Sequence, residues 1–174
     1  MLESRRPGSF GRLWCYEPIV FPTDRQLERA DDAPLAVGAR KRRDTWPDRD
    51  AALEGFAARP PLDVLDPEVL RAYVDHGLAT GADGSVRLKC RPEDEAEVYA
   101  EMTTNGLYPS LAGVRCPTLV VCGERTDAIT PALGQMVVDR LPDARLEVLP
   151  GLGHFGPMQD PAAVAASILR FSSP

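Results

Sequence analysis

Residues 116–131 read CPTLVVCGERTDAITP, and in this stretch a short apolar run is followed by a polar loop and the start of a helix. The run 118–122 is bounded by a proline and a glycine, which is typical of a strand buried on both faces of a parallel sheet. Thr130 followed by Pro131 is a typical beginning of an amphipathic helix. The stretch therefore predicts a strand, a loop and a helix in that order.

A second strand and helix follow in ARLEVLPGLGHFGPMQDP at residues 144–161. The apolar positions within 146–149 predict a short strand that ends before a proline and a glycine. Asp160 and Pro161 then cap a final helix. Together the two stretches predict a βαβ unit with a right-handed crossover, so that the two strands lie parallel.

The segment upstream of this unit has a different character. Residues 13–16 predict a third strand, closed by Glu17 and Pro18. Residues 24–108 are predicted to form a mostly helical insertion, with one helix beginning at Asp66 and another covering about 93–102. Within it, a turn at Asp83 and Gly84 precedes an alternation of apolar and polar residues over 86–90.

Composition bounds the class of protein. The chain has 174 residues with 44% apolar and 26% charged side chains, and no apolar run reaches the 18 or so residues that a membrane span needs. Its net charge of −6 disfavours nucleic acid or an anionic membrane as a partner, so a small molecule or a protein is expected. The cysteines lack paired spacing and the N-terminus lacks an export signal, which indicates a reducing cytoplasm.

Only two histidines are available for imidazole chemistry, His76 and His154. His76 falls at the C-terminal end of a predicted helix, where a capping or surface role suffices. His154 falls in the loop after a predicted parallel strand, which is where open α/β sheets carry reacting groups. Asp127 occupies the same position after the preceding strand, so a carboxylate that fixes the tautomer of a histidine base is expected there.

These two stretches resemble the C-terminal end of an α/β-hydrolase fold protein, most specifically over residues 109–173. The resemblance implies that Asp127 is the triad acid and His154 the general base, in the chain order Ser, Asp, His. It also implies a residual three-stranded parallel sheet, in which residues 1–23 are a remnant of the core with a helix and a strand. Residues 24–108 would be a helical cap, and residues 109–174 the C-terminal core.

The nucleophile is not found in the sequence. The pattern GxSxG is absent, and the nearest text, GSFG at 8–11, is one residue short and has no strand before it. By the resemblance, residues 1–7 belong to the helix after the nucleophile elbow, so the chain is expected to be a fragment without a nucleophile. No phosphate loop or set of metal ligands occurs, and no cofactor or metal is expected.

The expected function follows from the resemblance. A hydrolase of this family would split an ester, lactone or related bond in a small, largely apolar substrate, and relatives also include haloperoxidase-like enzymes, epoxide hydrolases and dehalogenases. This chain alone is predicted to be inactive. The alternative is a non-catalytic fragment or binding module that uses the cap and the residual sheet.

Two further expectations concern surfaces of the molecule. Trp46, Phe56 and Tyr73 could line an apolar pocket under the cap, although aromatic residues in helices more often pack in a core. If the strand at 13–16 lacks a neighbour, its exposed edge is a template for pairing with another chain. Self-association through that sheet edge is therefore expected.

Overall fold

The computed structural model describes the backbone of residues 2–24 and 27–173, and the side chains of these residues except 103 and 104. The chain forms two compact units. The first unit runs through Leu27 and resumes at Asn105, and the second is Glu28–Thr104. The second unit is therefore shorter at both ends than the predicted insertion of residues 24–108.

Most of the α-helices begin at a proline, and the residue before that proline is not helical. In chain order the helices are α1 (Leu2–Arg5), α2 (Pro34–Lys41), α3 (Arg49–Ala57), α4 (Pro67–Gly77), α5 (Pro92–Glu101), α6 (Pro131–Arg140), α7 (Gly156–Gln159) and α8 (Pro161–Ser172). The strands are β1 (Leu13–Tyr16), β2 (Thr45–Trp46), β3 (Leu78–Thr80), β4 (Val86–Leu88), β5 (Thr118–Gly123) and β6 (Ala144–Leu149). No helix in the described part of the chain is long and apolar enough to cross a membrane.

The first unit is built on a parallel sheet with the strand order β1-β5-β6. Every residue of β5 is buried, as the apolar run predicts for a central strand covered on both faces. Helix α8 packs on the face that carries Leu119 and Val121. Helix α6 lies against the opposite face, where Gly134 meets the side chain of Cys122. The predicted three-stranded parallel sheet is confirmed.

Side-chain caps fix the starts of the two helices that cover the sheet. The hydroxyl of Thr130 accepts a hydrogen bond from the backbone N–H of Leu133 at 3.4 Å, and the carboxylate of Asp160 accepts one from Ala163 at 2.8 Å. Such N-caps each contribute about 1 kcal/mol because they satisfy orphan N–H groups of the first helical turn. Both predicted helix starts are confirmed.

A buried hydroxyl joins the outer strands through α8. Ser167 is fully buried; its Oγ accepts a hydrogen bond from Nε1 of Trp14 at 3.0 Å and donates one to Oε2 of Glu147 at 2.5 Å. Arg170 pairs with the other carboxylate oxygen of Glu147 at 2.7 Å. Because Trp14 lies on β1 and Glu147 on β6, this polar chain spans the sheet above β5.

The second unit contains helices, as predicted, and also an antiparallel sheet with the order β2-β4-β3. The alternation predicted over 86–90 is a strand only over Val86–Leu88, and Cys90 lies beyond it and is exposed. Strands of two or three residues carry at most a short stretch of such alternation. The antiparallel sheet is an addition to the mostly helical insertion that the sequence predicts.

The aromatic residues of the second unit pack against one another. The rings of Trp46 and Phe56 lie 4.9 Å apart, those of Phe56 and Tyr73 lie 5.5 Å apart, and Trp46 is 4% exposed. Centroid distances of 4.5–7 Å are those of stabilising aromatic pairs. These contacts favour the core interpretation of the three residues over a substrate pocket.

The outer edge of β1 carries backbone groups that the sheet does not use. Leu13 donates its N–H to Pro117 at 3.0 Å and Glu17 donates to Val121 at 2.8 Å, so alternate residues face β5. The N–H groups of Trp14 and Tyr16 therefore point away from β5. Among the described residues they have no backbone partner.

We expect the chain to self-associate through this edge. Residue-resolved hydrogen exchange by NMR should show fast exchange at the amides of Trp14 and Tyr16 in dilute samples, and slower exchange as the concentration rises. The amides of Leu13 and Cys15, which face β5, should be protected at every concentration. Protection at Trp14 and Tyr16 that does not depend on concentration would contradict the expectation.

Candidate active site

The carboxyl ends of β1, β5 and β6 lie side by side at one edge of the parallel sheet. Glu17 follows β1 directly, residues 124–130 form the loop after β5, and residues 150–155 form the loop after β6. Open α/β sheets gather reacting groups at this edge because neighbouring loops meet there. His154 lies in the third of these segments, so each of the other two could supply its partner.

The carboxylate of Glu17 binds the imidazole of His154. Oε2 of Glu17 lies 2.7 Å from Nδ1 of His154. The glutamate side chain is 1% exposed, whereas the histidine side chain is 42% exposed. Because a carboxylate accepts hydrogen bonds and donates none, this contact places a proton on Nδ1, so that the neutral ring is the Nδ1–H tautomer. Nε2 then carries a lone pair, and none of the described residues forms a hydrogen bond with it.

Two further donors hold the carboxylate in place. The hydroxyl of Thr126 donates to Oε2 at 2.9 Å, and the backbone N–H of Gly123 donates to Oε1 at 3.1 Å. Hydrogen bonds to a charged group contribute roughly 1.5–3 kcal/mol each, and a buried carboxylate without them would be strongly destabilising. The single side chain of Glu17 thus links the ends of all three strands.

The backbone at Glu17 adopts a conformation that is uncommon for a residue with a side chain. Its φ is +41°, in the left-handed region, although its N–H still continues the ladder to Val121. Left-handed residues other than glycine cost of order 1–3 kcal/mol and concentrate at functional sites. The turn ends β1 and lets the glutamate carboxylate reach the donors at the end of β5.

Gly123 is required by the close approach of the histidine loop. A Cβ at this position would overlap the carbonyl oxygen of Leu152 and lie 2.7 Å from that of Gly153. The loop after β6 therefore passes directly over the last residue of β5. This approach brings His154 within reach of Glu17, and the N–H of Gly123 is at the same time a donor to the carboxylate.

Asp127 does not take the place that the sequence predicts for it. Its side chain is exposed, and among the described residues no hydrogen bond or ion pair joins it to His154. The physical reason is the turn of the loop after β5. Thr126 accepts a hydrogen bond from the N–H of Ala128 at 3.2 Å, and in this turn Thr126, not Asp127, points to the site.

The sequence contains a signal for Glu17 beyond its place at the end of a predicted strand. Glu17 follows the apolar strand β1 directly, just as Asp127 follows β5 a few residues later. Both positions lie at carboxyl ends of parallel strands, so topology alone predicts either of them as the partner of His154. The structure brings Glu17 to the imidazole.

The remaining candidate groups lie elsewhere or are unreactive. His76 is exposed near the end of α4, in the second unit. Burial, and secondarily the charge of Glu17, raise the pKa of the Cys122 thiol to about 11, so little thiolate is present at neutral pH. Among the described residues, no group of three or more His, Cys, Asp or Glu side chains is placed to hold a metal ion.

The chain matches a known protein family over most of its length. The model of the alpha/beta hydrolase family matches residues 7–167. The chain therefore belongs to the alpha/beta hydrolase family.

This chain matches only part of the length of each relative. BpoC of Mycobacterium tuberculosis, named as a non-heme bromoperoxidase, is 34% identical over 85 residues, which are 48% of this chain and 32% of that protein. The peroxisomal alpha-beta-hydrolase Lpx1 of Saccharomyces cerevisiae superposes with a TM-score of 0.81 at 19% identity, over 99% of this chain and 50% of Lpx1. An esterase of M. tuberculosis gives 0.67 at 20% identity, over 98% and 56%. The chain thus spans about half the length of these structures and a third of the curated relative.

We expect Gly123→Ala to destabilise the fold and separate His154 from Glu17. The added methyl group meets backbone carbonyls that cannot rotate away, and overpacking of this kind costs roughly 1–3 kcal/mol. The free energy of unfolding from urea titration measures the cost. Gly11→Ala is the matched control in the same unit, because a Cβ at Gly11 meets nothing within 4 Å. Equal stability of the two variants would show that the loop does not constrain this strand end.

Proposed function

We propose that this chain carries the acid–base half of a hydrolase active site. In this proposal His154 is the general base and Glu17 is the acid that orients it. The reaction is hydrolysis of an ester, a lactone or a related bond in a small, largely apolar molecule. The observation that carries the proposal is the 2.7 Å contact between Oε2 of Glu17 and Nδ1 of His154.

The geometry suits each step of an acyl transfer. Nε2 of His154 takes the proton of a nucleophile as that nucleophile attacks the substrate carbonyl, and returns it to the departing oxygen. Glu17 keeps its charge throughout and stabilises the imidazolium that forms in between. The general base has to contact the substrate, whereas the acid that orients it is shielded from solvent. A half-exposed histidine beside a buried glutamate agrees with these two roles. The ring of Phe155, 5.3 Å from the imidazole, supports an apolar substrate.

The nucleophile is proposed to come from a segment outside this sequence. No GxSxG pattern occurs in the 174 residues, and no described serine, threonine or cysteine forms a hydrogen bond with His154. The chain matches only about half of the length of the alpha/beta hydrolase structures above. Both observations support a site that is completed by a further part of the protein.

Two broader assignments accompany this proposal. The unit Glu28–Thr104 interrupts the first unit between β1 and β5, downstream of Glu17, and we assign it the role of a cap. Cys116 and Cys122 are buried free thiols, which supports a reducing cytoplasm as the location.

We expect Glu17→Gln to reverse the tautomer of His154. The N–H of Gly123 cannot become an acceptor, so the amide oxygen stays beside it and the NH₂ group turns toward His154. Nδ1 must then accept, and the proton moves to Nε2. Nitrogen-15 NMR of the imidazoles at a pH where they are neutral should show mainly the Nδ1–H form of His154 in the wild type. The Nε2–H form should dominate in Glu17→Gln.

The controls are contained in the same chain. Asp127→Asn removes the carboxylate that the sequence predicted as the partner and should leave the signals of His154 unchanged. His76 is exposed and lies in the second unit, so it serves as the reference imidazole in every spectrum. A wild-type His154 whose tautomer matches that of His76, or one that responds to Asp127→Asn and not to Glu17→Gln, would overturn the assignment of Glu17.

We expect no hydrolysis of p-nitrophenyl esters above background by this chain. Triad members act as a unit, so a base and its acid accelerate little without the nucleophile. Release of p-nitrophenol should be equal for the wild type and His154→Ala. Turnover that disappears in His154→Ala would instead place a nucleophile within these 174 residues. Saturable binding without turnover, unchanged in His154→Ala and Glu17→Gln, would favour the non-catalytic alternative.

A further inference from the structure

We propose that Tyr16 is a positioning residue for His154, because its hydroxyl holds the histidine loop through the carbonyl group of Gly153. This inference rests on the proposed function, in which His154 is the base. Tyr16 and Glu17 are consecutive, so the end of β1 holds the histidine at two points. Glu17 binds the ring directly, and Tyr16 binds the backbone one residue before it.

The contact joins β1 to the loop after β6 across the whole sheet. The Tyr16 hydroxyl donates to the carbonyl oxygen of Gly153 at 2.5 Å. The same oxygen accepts the backbone N–H of Gly156 at 3.0 Å. The peptide unit between Gly153 and His154 is therefore held by two hydrogen bonds. Its orientation determines the direction in which the His154 side chain leaves the backbone.

The loop is shaped to receive the phenol ring. A Cβ on Gly156 would overlap the hydroxyl of Tyr16 and lie 2.6 Å from the ring carbon that carries it. Only a residue without a side chain allows the phenol to lie against the backbone at this point. The ring of Tyr16 also packs beside Trp14 and the core cluster below α8, which fixes its direction.

The hydroxyl keeps its proton under all ordinary conditions. Burial is the main cause that raises the pKa of Tyr16, to about 12, and the negative charge of the adjacent Glu17 is the second. The N–H of Gly156 acts in the opposite direction but is a smaller influence. Tyr16 is therefore a hydrogen-bond donor to Gly153 throughout the pH range around neutrality.

Other contacts keep the loop folded when this hydroxyl is removed. The side chain of Gln159 accepts the N–H of Gly153 at 2.8 Å, and Arg125 donates its N–H to the carbonyl of Leu152 at 2.8 Å. A variant that lacks only the Tyr16 hydroxyl should consequently keep the loop in place but loosen the peptide before His154. The expected result is a less populated contact between His154 and Glu17, not an unfolded site.

The test is the imidazole tautomer of His154 in Tyr16→Phe, read by nitrogen-15 NMR. Loss of one hydrogen bond should move the ratio of the Nδ1–H to the Nε2–H form roughly two- to tenfold toward Nε2–H. Tyr108→Phe is the matched control. Tyr108 also donates to a backbone carbonyl in the first unit, that of Met136 at 3.2 Å, and its loss should leave His154 unchanged.

A second variant approaches the same contact from the loop. Gly156→Ala pushes the phenol away from Gly153, so it should change the tautomer ratio in the same direction. In the double variant with Tyr16→Phe, the two effects should not add, since both remove one interaction. Additive effects, or a Tyr16→Phe spectrum identical to that of the wild type, would overturn the role of Tyr16.

The outcomes separate this inference from the proposed function. If wild-type His154 lacks the Nδ1–H form, the pairing with Glu17 fails, and the proposed function fails with it. If the wild type has that form, Glu17→Gln reverses it and Tyr16→Phe leaves it intact, only the role of Tyr16 is wrong.

Discussion

The rest of the site depends on one buried carboxylate. Glu17 accepts hydrogen bonds from the backbone at the end of β5, from Thr126 in the next loop, and from His154 in the loop after β6. Since an unpaired buried charge is strongly unfavourable, all three segments have to keep their places for the fold to be stable. The hydrogen bonds that stabilise the buried charge of Glu17 are therefore the same ones that position the imidazole of His154.

Most of the first unit could be predicted from local patterns. The apolar run of β5, the prolines after Thr130 and Asp160, and the short strand β1 each carry a signal within a few residues. Parallel pairing follows because a helix connects β5 to β6. In the sheet of the second unit only β4 has such a signal, the alternation after the turn at Asp83 and Gly84. Strands as short as β2 and β3 form because their residues pack on a shared core, and such packing has no local signature.

The candidate site was predictable only in part. His154 is found from topology, since it follows a parallel strand in a glycine-rich loop. Its partner depends on two backbone details, the left-handed turn at Glu17 and the turn that directs Thr126 inward instead of Asp127. Both are decided by tertiary contacts, such as the passage of Leu152 over Gly123. The sequence offers two candidate partners for His154, because a carboxylate follows β1 and another follows β5. Long-range packing selects the one after β1.

The buried hydroxyl of Ser167 has a consequence for how the chain reaches its native alignment. If β1 or β6 shifted by one residue, Trp14 or Glu147 would turn to the other face of the sheet and lose its hydrogen bond to Ser167, which would leave the buried hydroxyl with one partner fewer. The hydroxyl oxygen of Ser167 thus favours the native register of β1 and β6 over registers shifted by one residue. Because the register of β1 and β6 sets where Glu17 and His154 lie, the hydrogen bonds of Ser167 also help to bring these two side chains together at the carboxyl ends of the strands.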